Sequence, residues 1–191
     1  MPVRPVRPRR LVGLALSSLA CLSAPPMAAA ADPLPGATRE HLHLSLDAAA
    51  WQVTFENDGD TATWTYRPAT AQPGRMSAES VAVSAFDRAL APFPTRELPQ
   101  RSHALLAPHA PGLRLDVRRD TPRDGRERLV YVLATGQAGD GAIVGLAVDG
   151  LTAVHSAEIE LPAAVDAARI DHWVDVFERA VVVPGSAPST D

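Results

Sequence analysis

The chain has 191 residues, 46% of them hydrophobic, which suits one domain with a real apolar core. Its formal charge is −4, and every one of its 18 basic residues is arginine, a bias that a GC-rich coding sequence explains without any use of guanidinium. Four of those arginines are the only charges in residues 1–31, so the remainder carries −8; that balance repels phosphate backbones and anionic membrane surfaces and argues against both as partners.

Residues 1–31 read as an export signal. Arg4, Arg7, Arg9 and Arg10 form a basic start, Leu11 to Leu22 an apolar run too short to span a bilayer comfortably, and Ala28 to Ala31 a set of small residues for cleavage before Asp32. The expected destination is the periplasm or the exterior. No later stretch is long and apolar enough for a transmembrane helix. The single cysteine, Cys21, lies inside the signal, so the exported part has no disulfide and no thiol chemistry. Cys21 also opens a rival reading, a lipid anchor, because Ser18-Leu19-Ala20-Cys21 approximates a lipoprotein cleavage box with Ser where Leu is usual. The Arg9-Arg10 pair invites a twin-arginine signal, but Pro8 precedes it and nothing later calls for folded export.

Residues 32–40, with Pro33, Pro35 and Gly36, form a flexible lead-in. His41 to Leu46 alternates as a strand with Leu42, Leu44 and Leu46 inward. Trp51, Val53 and Phe55 alternate again, Asn57-Asp58-Gly59-Asp60 is a turn, and Ala62, Trp64 and Tyr66 return as the second half of a hairpin with aromatic residues paired across it. Pro68 to Gly74 is a loop and Ser80 to Phe86 a strand. Prolines at 92, 94, 99 and 108 confine a middle helix to Pro99–Ala107, with Pro99 in its first turn. Leu113 to Val117 is a strand, Asp120 to Gly125 a turn, and Leu129 to Thr135 a central strand apolar on both faces. After the glycine-rich link Gly136–Gly141, Ala142 to Val148, the Asp149-Gly150 turn and Leu151 to Ile159 make a second hairpin. Beyond Pro162 the period changes to about 3.6, with Ile170, Trp173, Val174 and Phe177 on one face and the helix running to Val183. Pro184-Gly185 ends it, and residues 184–191 form an unstructured tail. Short turns imply antiparallel pairing. The expectation is one α+β domain over 41–183: an antiparallel sheet of about seven strands under a long C-terminal helix and a short middle helix.

The pattern Trp51-x-Val53-x-Phe55, Trp64-x-Tyr66-x-Pro68, then Ser77-x-Glu79-Ser80-Val81-x-Val83-x-x-Phe86 is similar to that of a group of small exported bacterial proteins. So is the later set Asp149-Gly150-Leu151, His155, Pro162 and Arg169-Ile170-x-x-Trp173. Those proteins resemble the PsbP/DcrB-like architecture, which implies an antiparallel sheet with helices packed on it over most of 41–183. The resemblance brings no catalytic residues. This chain departs from it in lacking cysteines in the exported part and in its proline-broken middle helix.

Chemistry is sparse. His41-x-His43 places two rings on one strand face, as a metal pair would need. That face is opposite Leu42 and Leu44, however, and no third ligand is near, so a solvated strand explains it better. His103, His109 and His172 form no ligand spacing, and His155 reads as a packed histidine on the face of Leu151, Ala153 and Ala157. There is no Gly-x-Ser-x-Gly elbow, no Cys–His pair, no phosphate loop and no calcium-loop spacing. Glu158 and Glu160 read as the polar face of their strand. Catalytic, cofactor and metal residues are therefore expected to be none. The acidic residues Asp58, Asp60, Asp120 and Asp124 in loops, with Asp171, Asp175 and Glu178 on the outer helix face, form the candidate partner surface. The leading expectation is a non-catalytic exported protein that binds a protein partner, in one form an immunity or inhibitor protein against a toxin or envelope hydrolase. The alternatives are a carrier of a small apolar ligand or lipid, and a metal-dependent hydrolase.

Overall fold

A computed structural model of the chain describes residues 40–57, 61–70, 79–89, 93–137, 140–163 and 165–184. The stretch read as an export signal with Cys21, the expected lead-in up to residue 39, the expected turn holding Asp58 and Asp60, and the expected tail from residue 185 lie outside the described residues.

The elements are β1 (His41–His43), β2 (Trp51–Asn57), β3 (Thr61–Pro68), β4 (Val81–Asp87), α1 (Leu98–Leu106), β5 (Arg114–Asp120), β6 (Arg128–Ala134), β7 (Ala142–Asp149), β8 (Ala153–Leu161), α2 (Ala167–Arg179) and β9 (Val181–Val183). Seven strands form one sheet in the order β2-β3-β4-β8-β7-β6-β5, every neighbouring pair antiparallel. This is the α+β domain expected. It consists of two meanders, β2–β4 and β5–β8, joined where β4 pairs with β8. The chain crosses between them through α1.

The period-two stretches become strands because each has a face to bury. On one face, α2 lays Trp173, Val174 and Phe177 against Val130, Val132, Val144, Leu146 and Ile159. Trp173 and Phe177 are at most 1% exposed; removing each from water stabilises the fold by about 1.5–3 kcal/mol. Trp51 meets Trp173 edge-on at 5.9 Å, and Phe55 lies opposite Trp64 as the hairpin register requires, with rings 5.2 Å apart. The Asp166 side chain caps α2 by accepting from the Arg169 N–H at 2.7 Å. On the other face, Leu98 of α1 with Ala110 and Leu113 covers Tyr131, Leu133, Ile143, Ala147 and Val154. No helix among the described residues is long and apolar enough to cross a membrane.

Four local expectations need correction. The C-terminal helix stops at Arg179, and Val181–Val183 instead pairs with His41–His43 in a separate two-stranded sheet. Three consecutive valines crowd a helical turn but suit an extended strand, and Ala180 already has ψ 147°. The first strand is correspondingly three residues long and lies outside the large sheet. The strand β6 is interior, but the middle of the order is β8, whose buried His155, Ser156 and Glu158 disguise it as a half-polar strand. Leu151, expected inward, is 72% exposed, because the backbone at 151–152 is turned toward the buried carboxylate of Glu40.

Candidate functional site

Charged side chains concentrate at one end of the sheet. Three segments meet there: the β5–β6 turn, the β7–β8 turn, and the junction of α2 with β9. The β5–β6 turn is Arg123-Asp124-Gly125-Arg126, closed by paired backbone hydrogen bonds between Arg123 and Arg126 of 3.0 and 3.2 Å. Asp124 and Gly125 have φ of 55° and 75°, the mirror-image turn that Asp-Gly favours in a two-residue hairpin. The turn arches over a recess of about 270 Å³. Arg123, Arg126 and Arg128 line it with Asp124, Glu127 and Asp149, and Val148, Ala180, Val181 and Val182 form an aliphatic wall.

The recess is built from paired charges. Arg128 is 4% exposed and donates from one terminal nitrogen to the Phe177 carbonyl and, at 2.6 Å, to the Glu178 carbonyl. These carbonyls belong to the last turn of α2, where the Phe177 oxygen also accepts from the Ala180 N–H at 3.3 Å, so Arg128 secures the helix end from β6. Its Nε is buried with no hydrogen-bond partner among the described residues. Burial, and then the nearby charge of Arg123, lower its pKa. Glu127 accepts from Arg96 Nε at 2.5 Å and from the Arg96 N–H at 3.1 Å. Asp149 accepts from Arg88 at 2.5 Å and from the Thr95 hydroxyl.

Behind the recess, Glu40 is 6% exposed. Its carboxylate accepts from the Leu151 and Thr152 N–H groups, each at 2.8 Å, and from the Thr152 hydroxyl at 3.2 Å. Burial raises the Glu40 pKa, but these donors outweigh it and the net shift is downward. Arg126 comes within 3.7 Å of the Glu40 carboxylate, and His155 Nε2 lies 4.0 Å from its other oxygen. His155 is fully buried, and neither ring nitrogen has a hydrogen-bond partner among the described residues. Burial pushes its pKa down to about 4 against the pull of Glu40, so it is neutral at physiological pH. Gly150 admits Glu40, since a Cβ there would lie 2.4 Å from Glu40 Oε2.

A second buried carboxylate lies under α1. Glu158 accepts from the Tyr131 hydroxyl at 2.6 Å and from the Ser102 hydroxyl at 3.0 Å. All three residues are at most 6% exposed. The alternation of β8 places Glu158 on a solvated face; in the fold, α1 covers that face. Burial, and then the charge of Glu158, raise the Tyr131 pKa well above the usual phenol range. The Tyr131 ring lies across Gly145, where a Cβ would sit 2.2 Å from Cζ. Sealed from solvent, this trio ties α1 to the sheet.

Of the expected surface residues, Asp124 lines the recess, Asp120 ends β5 beside it, and Glu178 accepts from Arg119 at 3.1 Å on the adjoining helix end. Asp171 and Asp175 lie exposed along α2. Asp58 and Asp60 fall outside the described residues. His41 is half-buried and His43 exposed, while Leu42 between them is buried. Among the described residues no group of three His, Cys, Asp or Glu side chains is placed to hold a metal ion. Sequence reasoning does not find Arg123, Arg126, Arg128 or Glu40. The signal for the first three is five arginines between 118 and 128, dense for a turn but matched by the arginine bias of the whole chain.

No protein-family model matches the chain, and no curated protein matches it. Among solved structures it is similar to the solution structure of cyanobacterial PsbP (CyanoP) from Synechocystis sp. PCC 6803. The identity is 10% and the TM-score 0.40, over 73% of this chain and 96% of that one.

Proposed function

We propose that this chain is a non-catalytic exported protein that works by binding a protein partner, with the recess and loops at the arginine-rich end of the sheet as its contact surface. One observation carries the reading: an aliphatic wall and a set of fixed charges converge on one recess, whereas buried polar groups such as Glu158 and Tyr131 are satisfied internally and sealed. A surface of fixed charges around a small apolar patch is the kind that selects a protein partner by complementarity. The interior between sheet and α2 is filled by Trp173, Phe177, Ile159 and Leu146, which favours recognition at the surface over carriage of an apolar ligand. An immunity or inhibitor protein acting in the periplasm is the specific form this takes.

Cross-linked capture from envelope extract tests the reading, comparing the native chain with Arg123→Glu. The expected result is one stoichiometric partner recovered by the native chain and lost with the charge reversal. Recovery of no stoichiometric partner, or equal recovery by both chains, overturns it.

A further inference from the structure

The charges around the recess do not balance internally. Glu127 is engaged by Arg96, Asp149 by Arg88, and Glu40 by backbone N–H groups with Arg126 nearby. Arg123 and Arg128 then share the recess with Asp124 as the remaining lining acid, while Glu178, whose charge also acts on Arg128, is paired with Arg119. The side chain of Arg123 makes no hydrogen bond or ion pair among the described residues, and it is exposed. The Arg128 guanidinium is buried, spends one nitrogen on neutral helix carbonyls and keeps an unpartnered Nε. Arginine does not relieve such a site by losing its proton, as its guanidinium stays charged at any ordinary pH. Two guanidinium groups that repel each other across a small cavity are stabilised by an oxyanion between them.

Size and lining narrow the anion. A volume of about 270 Å³ lies just below the usual range for drug-sized ligands, roughly 300–1,000 Å³, and so suits a small acid or one side chain. The wall of Val148, Ala180, Val181 and Val182 offers contact to methylenes beside the charge. We infer that the recess binds an aliphatic carboxylate, held between Arg123 and Arg128 with its stem against Val181 and Val182. This deepens the partner-binding reading and rests on it for the bearer of the group: an acidic side chain or a C-terminal carboxylate of the partner chain.

Amide and guanidinium NMR on the full chain tests it, with glutarate, inorganic phosphate and chloride titrated separately at equal ionic strength. The expected result is saturable shifts at Gly125, Arg126 and Val181 with glutarate. Phosphate binds more weakly and chloride gives only linear drift. Arg123→Gln weakens glutarate by about tenfold, the loss of one charge-assisted contact, while Arg114→Gln, an exposed arginine of β5 outside the recess, leaves it unchanged. Spectra of both variants also report their folding. Linear drift with all three anions, or equal glutarate affinity in Arg123→Gln, overturns the site. Phosphate binding as tightly as glutarate overturns the aliphatic carboxylate. A captured partner with no glutarate binding removes this inference alone; glutarate binding with no captured partner removes the partner reading alone.

Discussion

Glu40 and Glu158 are both carboxylates at 6% exposure, yet they are held in different ways. Glu40 is surrounded by groups that favour its charge: two backbone N–H donors, a hydroxyl and a guanidinium. Glu158 has two neutral hydroxyls, from Tyr131 and Ser102. The first carboxylate shapes a turn and brings the start of the domain to the β7–β8 connection, more than 110 residues away in sequence. The second fastens a helix to a sheet face. Burial of a carboxylate therefore does not mark a reactive group by itself; the donors around it determine what it does.

The change expected to disturb the pair most acts on the Glu158 side without touching its carboxylate. In Gly145→Val the new side chain must enter space held by Tyr131, whose ring and hydroxyl atoms lie 2.2–2.6 Å from an added Cβ. Tyr131 is fully buried and has no open direction. We expect a loss of about 4 kcal/mol or more, overpacking combined with a broken polar contact, read as the urea midpoint. A loss below about 1 kcal/mol would show that Tyr131 is free to leave Glu158.

Next is Glu158→Leu, which leaves the Tyr131 and Ser102 hydroxyls buried without an acceptor and should cost about 3 kcal/mol. Adding Tyr131→Phe and Ser102→Ala to that variant removes the orphaned groups and should restore more than half of the loss. An additive triple variant would mean the three residues do not act as a unit.

The same two carboxylates separate what is legible in the sequence from what is not. Periodicity locates the sheet and both helices, because Leu, Val and Trp recurring at spacings of two or about 3.6 gather on one face only in a strand or a helix. It misplaces Glu158, because the same alternation describes a strand with one wet face and a strand whose second face meets a helix. It passes over Glu40, because its shortest contacts are with backbone N–H groups at residues 151 and 152, which leave no trace in side-chain identity. Val181–Val183 is readable from β-branching alone, but the strong helical stripe before it masks the change. Arg123, Arg126 and Arg128 are visible as charges; their convergence depends on the hairpin turn and on the end of α2, which only the fold brings together.

Acid tests the Glu40 side of the comparison. His155, facing Glu40 with His41, Arg88 and Arg126 around it, is neutral in the fold down to a pKa of about 4, against 6.5 for an ordinary histidine. Between those values the unfolded chain binds the extra proton, so stability falls as pH drops from 6.5 toward 4, by about 3 kcal/mol at the lower end. Glu40 is depressed below its usual 4.5; its contribution is present above 4.5 and is lost as pH falls through its lower folded value. Both effects weaken the fold in acid. Urea unfolding at pH 7, 5.5 and 4.5 should show the slope, and His155→Leu should flatten it above pH 4.5. A native chain equally stable at pH 7 and 4.5 would contradict the burial of a neutral imidazole.

The smallest expected effect comes from carboxylates with neither kind of support. Asp171 and Asp175 are exposed on α2, with no fold-stabilising side-chain partner among the described residues. The double variant Asp171→Asn and Asp175→Asn should change stability by no more than about 0.5 kcal/mol, measured by the same urea midpoint. That neutrality makes the variant informative about binding. If the outer face of α2 contributes to partner recognition, capture weakens while the fold is unchanged. If recognition is confined to the recess, capture survives this variant and is lost with Arg123→Glu. A stability loss above about 1 kcal/mol would instead assign these two aspartates a structural role like that of Glu40, and would end the distinction between carboxylates that build the fold and carboxylates left on its surface.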